Sequence, residues 1–96
     1  GGGGGGASWT QSTVTSDTAA SEDDSIWVDA SSNAVTVTLP PPSQSAHVRV
    51  YALDATNAVE VAPNGSESID GSTDPLSLTG NESVTLESDG TNWEVV

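Results

Sequence analysis

From Ile26 to the C-terminus, apolar and polar residues alternate in short runs with a period of two rather than 3.6. That period puts successive side chains on opposite faces of a strand. The clearest run lies at the C-terminal end. Val84 and Leu86 alternate with Ser83, Thr85 and Glu87, Asp89-Gly90 supplies a turn, and Trp93 and Val95 alternate with Asn92 and Glu94 on the way back. Gly tolerates positive φ and Asp bonds its own downstream backbone, so the stretch predicts a β-hairpin. Upstream, Asn64-Gly65 and Asp70-Gly71 bracket a short run over 66–69, and Pro75 and Gly80 bracket 76–78. The spacing predicts a tight antiparallel meander over 63–96.

The same reading extends toward the N-terminus. Residues 10–15 alternate weakly and predict a strand through Val14. Residues 16–25 hold Asp17, Glu22, Asp23 and Asp24 with little apolar content, which predicts a loop with a brief helical turn over 19–23. Ile26-Trp27-Val28 predicts a short strand. Residues 34–39 place Val35, Val37 and Leu39 on one face and Thr36 and Thr38 on the other, and Pro40-Pro41-Pro42 ends the strand because Pro cannot donate to a ladder. In 47–53, Val48, Val50 and Ala52 point inward and His47, Arg49 and Tyr51 outward; Val59 and Val61 alternate up to Pro63. About eight short strands predict an all-β fold, a small antiparallel sandwich or barrel. The expected organisation is a glycine-rich arm over 1–16 followed by one β-sandwich domain over 17–96.

Composition changes this picture in two ways. The chain has 22 large apolar side chains (Val, Leu, Ile, Trp, Tyr) among 96 residues, and no Phe, Met or Cys. So thin a core points to buried surface shared with other copies in a symmetric oligomer. Fourteen acidic residues against one basic residue, Arg49, give a formal net charge of −13. Phosphate neutralisation needs Lys and Arg, so nucleic acid is excluded as a partner, and anionic membrane surfaces with it. One reading of the acidity is a solvated surface that keeps the protein soluble. The other is adaptation to molar salt, where the Debye length falls to roughly 3 Å and carboxylate repulsion is screened. Total loss of Lys tips the balance toward the second.

The absence of Cys leaves the redox compartment unreadable, and no signal peptide or apolar run long enough for a membrane span is visible. A chain beginning on Gly without Met reads as a mature, nearly whole product trimmed at its initiator. Gly1, Gly2, Gly3, Gly4, Gly5 and Gly6 form the one low-complexity segment, and Trp9 follows closely. A tail of this composition is costly to order. Its functional alternative is a docking arm, with the glycines lying flat on another protein and Trp9 as anchor.

No catalytic constellation emerges. His47 is the only histidine and lacks a nucleophile motif around it, no pair stands out among the acids, and the glycine run lacks the strand, helix and Lys of a phosphate loop. The expectation is no enzyme, no cofactor and no metal. Asp70 to Asp74 and Asp54 to Asn57 place oxygens in loops, but turn capping accounts for them. Asn64-Gly65-Ser66 and Asn81-Glu82-Ser83 match the glycosylation sequon, a match that chance supplies readily in a chain rich in Ser and Asn. Trp27, Arg49 and Tyr51 fall on strand faces that should be polar, and are the candidate subunit or partner contacts.

Four stretches then carry a resemblance: IWVDASSNAVTVTLP (26–40), VRVYALD (48–54), VEVAPNGSESIDG (59–71) and ESVTLESDGTNWEVV (82–96). In order and spacing, 25–96 resembles a β-domain of virion surface proteins of tailed viruses, especially tail fibres, and SDGTNW is the most specific part. The resemblance implies a β-sandwich module that assembles as a trimer at the virion surface. With a glycine-rich arm, it implies a decoration protein docked on other virion proteins such as the major capsid protein. Two alternatives are a tail-fibre module recognising the host, and a carbohydrate-binding or adhesion module contacting host surface glycans. The chain departs from the resemblance in having few basic positions near 48–54.

Overall fold

The computed structural model describes residues 9–96, which form nine strands in two sheets and no helix. In chain order they are β1 (Thr10–Val14), β2 (Thr18–Ala19), β3 (Asp24–Asp29), β4 (Val35–Thr38), β5 (Gln44–Asp54), β6 (Val59–Ala62), β7 (Leu76–Leu78), β8 (Ser83–Asp89) and β9 (Trp93–Val95). One sheet has the order β1-β3-β5-β8-β9 and the other β2-β4-β6-β7. The all-β class is as the alternation predicts.

Strand direction is not. The pairs β1–β3, β2–β4, β3–β5 and β4–β6 are parallel. The chain crosses from one sheet to the other after each strand and returns beside the strand two before it, so β1 to β6 make a coil of successive turns. Each parallel crossover is thus made by a strand of the facing sheet instead of a helix. Antiparallel pairing is confined to the closing part, β5–β8, β6–β7 and β8–β9. The expected meander over 63–96 is correct for the hairpin β8–β9 but breaks earlier. Residues 66–68 join no strand, Ile69 makes only isolated bridges to Ser72 and Trp93, and β7 and β8 lie in different sheets. Where a helical turn is expected near 19–23, Thr18–Ala19 is instead a strand beside β4.

Coiling stacks like on like. Inward positions align across strands as ladders: Ile26, Val50 and Val84; Val48, Leu86 and Val95; Val35, Val59 and Leu78; Val37, Val61 and Leu76. Most of these side chains are fully buried, and with Leu39, Ile69 and Trp93 they make one core between the sheets. β-Branched residues suit such ladders because they are stiff at χ1 and pack well on a pleated surface. The ladder ends at the rim, where Val95, expected inward with Trp93, is exposed.

Carboxylates hold the backbone, six of them within turns and two, Asp17 and Asp70, between segments distant in sequence. Eight of the 14 acids accept a backbone N–H: Asp17, Asp24, Asp29, Asp54, Glu67, Asp70, Glu82 and Asp89. Asp89 Oδ1 accepts from both Thr91 and Asn92 at 2.9 Å, and those bonds hold its carboxyl below the ordinary 3.8. Asp54 is lowered likewise by Thr56. Gly90 completes the hairpin turn at φ +97°, a conformation that L side chains resist. A Cβ there would meet Gln44 backbone at 3.7 Å, an ordinary contact, so the obstacle is conformational. Gly90→Ala should therefore destabilise the fold by about 1–2 kcal/mol. Urea unfolding should show a lower midpoint at unchanged slope; an unmoved midpoint would mean that the turn relaxes freely.

Candidate functional site

Parity along the strands fixes the outer face of the five-stranded sheet. With Ile26, Val28, Val48 and Val50 inward, Ser25, Trp27, His47, Arg49 and Tyr51 point outward. Register then sets them in rows: Gln11, Ser25, Arg49 and Thr85 form one, and Thr13, Trp27, Tyr51 and Ser83 the next. The rows place side by side the three residues that sequence marks as contacts, Trp27, Arg49 and Tyr51.

The Trp27 and Tyr51 rings meet edge to face, with centroids 4.9 Å apart and planes at 69°. Tyr51 OH accepts a hydrogen bond from Asn81 Nδ2 at 2.8 Å, which fixes the phenol. Arg49 donates from Nε to Ser25 Oγ at 3.1 Å, and its guanidinium carbon lies 4.5 Å from the centroid of the Trp9 ring. The Trp9 ring also packs edge-on against His47 at 4.8 Å. His47 Nε2 lies 2.9 Å from Asp23 Oδ1, an ion pair when the imidazole is protonated. Trp27, Arg49, Tyr51 and Ser83 line an open hollow of about 350 Å³.

Trp9 takes a place that sequence did not foresee. Its ring is half-buried on its own domain, against His47 and Arg49. Residues 10–14 of the expected arm are β1, paired with β3. Gly1 to Gly6 lie outside the described residues. Ser25, Ser83 and Asn81 also belong to the cluster but were not singled out as contacts. For Ser25 and Ser83 the signal was available in strand parity, whereas Asn81 lies in a turn where no periodicity operates.

A second hollow, of about 360 Å³, is lined by Gln44, Ser45, Glu87, Ser88, Asp89, Glu94 and Val96. It is acidic. Lost hydration and the neighbouring Asp70 and Asp89 carboxylates raise Glu94 above its ordinary 4.5. Among the described residues, no three His, Asp or Glu groups come together as metal ligands. Of the loop acids named above, Asp54 and Asp70 serve the backbone, Asp54 capping Thr56 and Asp70 Oδ1 accepting from Val95 N at 2.8 Å. Both sequon residues, Asn64 and Asn81, are exposed. No known family model matches the chain, and neither does any curated protein.

Proposed function

We propose that the protein is a non-enzymatic recognition module displayed, as a trimer, on the surface of a virus particle adapted to high salt, and that it binds through the outer face of the five-stranded sheet. One observation carries the binding face: the only Arg, the only His, the only Tyr and two of the three Trp of the chain gather there. Trp, Tyr and Arg are the residues that dominate binding energy when they are held rigidly at a contact. The viral setting rests on the resemblance of 25–96 to tail-fibre domains, and the high-salt setting on the net charge of −13. Decoration of the capsid through an N-terminal arm is the second reading. Recognition is favoured over it because Trp9 packs beside His47 and Arg49 as part of the same sheet face.

The test is a Trp27→Ala, Tyr51→Ala double variant carried on particles. Adsorption to host cells should fall roughly tenfold or more while incorporation into particles is unchanged. Unchanged adsorption with lost incorporation would make this face an assembly contact and put decoration in its place.

A further inference from the structure

We infer that the hollow between Trp27 and Tyr51 takes a saccharide bearing a carboxylate, a uronic-acid-type residue, with Arg49 as the partner of the anion. This rests on the recognition reading and names its ligand. Arg49 is the only Lys or Arg in a chain of net charge −13, yet among the described residues no carboxylate pairs with it. Its Nε is committed to Ser25 and its plane is held near Trp9, while its terminal amino groups have no hydrogen-bond partner among those residues. A guanidinium fixed in this way offers a fork matched to a carboxylate.

The neighbouring groups specify a sugar. Trp27 and Tyr51 present apolar walls against which the C–H face of a pyranose packs, and Ser83 and the Tyr51 hydroxyl offer polar atoms at the rim. The side chains are set before binding, by Asn81 on Tyr51 and by Ser25 and Trp9 on Arg49, which lowers the ordering cost. At about 350 Å³ the hollow is at the small end of ligand sites, suited to one or two rings. A peptide would gain most by adding a strand to an open edge. Here the residues sit on β3, β5 and β8, each paired on both sides. A polyanion such as nucleic acid would meet one cation and many carboxylates.

The experiment is a calorimetric titration of the full chain, in molar salt, with an oligoglucuronate, a neutral glucose oligomer of equal length and an oligoglutamate. The oligoglucuronate should bind roughly tenfold more tightly than the neutral oligomer, the gain of one charge-assisted bidentate contact. Oligoglutamate should not compete. Arg49→Gln should abolish the preference, Arg49→Lys should keep part of it, and Trp27→Ala should remove both saccharides, with circular dichroism confirming each fold. Equal affinity for the two saccharides overturns the role of Arg49, and oligoglutamate binding as tightly overturns the sugar. If no saccharide binds while particles still adsorb to cells through Trp27 and Tyr51, the ligand inference falls and the recognition reading stands.

Discussion

Replacing Trp93 by Ala should remove about 3–5 kcal/mol of stability, most of what a domain of this size possesses. Trp93 is the largest fully buried side chain. It also links two regions by backbone: its N–H donates to Ser68 O at 2.8 Å, and its carbonyl accepts from Asp70 N at 3.0 Å. Truncation therefore opens a cavity at the point where the 68–72 turn joins the closing hairpin. Trp93→Phe separates packing from polarity. Among the described residues the indole Nε1 is buried without a partner, so Phe removes an unsatisfied donor along with some volume and should cost far less than Ala. Denaturant unfolding of both variants measures the difference. A loss below about 1 kcal/mol for Ala would mean that the hairpin frays independently of the core.

The hairpin was legible because alternation, turn residues and return strand lie next to one another in sequence. Faces were legible as well: parity along β3 and β5 separates Ile26, Val28, Val48 and Val50 from Trp27, Arg49 and Tyr51. Direction was not. A period of two reads the same in a parallel strand as in an antiparallel one, and short connections suggested hairpins where the chain was crossing to the facing sheet. The adjacency of Trp27 and Tyr51 follows only from the parallel β3–β5 register, so the cluster needed the structure even though each member could be named. Trp9 precedes any periodic stretch, and nothing local signals its seat on His47 and Arg49. Two-residue β2 is too short for periodicity to reveal at all.

The acids too have a role that composition could not show. Since eight of them bind backbone amides, part of the acidity is turn chemistry that would serve in any solvent. What remains for salt to act on is the net charge, which no lysine offsets. That distinction makes the pH and salt responses separable.

At neutral pH, raising salt from about 0.05 M to about 2 M should lift the melting temperature by on the order of 10 °C or more, because the Debye length contracts below the spacing of surface carboxylates. Acid should do the same work at low salt. Glu94 is raised above 4.5, so its contribution is fully present below that value and is lost as pH rises through its folded pKa. Lowering pH from 7 toward about 4.5 therefore recovers that contribution and thins the repelling charge. Asp54 and Asp89 have the opposite sign. Their folded pKa values lie below 3.8, so their contribution is present above 3.8 and disappears as pH falls through the folded values. The low-salt melting temperature should accordingly peak near pH 4 to 5 and drop on the acid side. In about 2 M salt the neutral limb should flatten, since screening has already removed the repulsion. The acid limb should persist, because a carboxylate bonded to its own turn is screened far less than a distant pair. Circular dichroism melts over a grid of pH and salt give both limbs. A melting temperature flat in salt at pH 7 would end the high-salt argument, and an acid limb that vanishes in salt would deny the turn carboxylates their structural role.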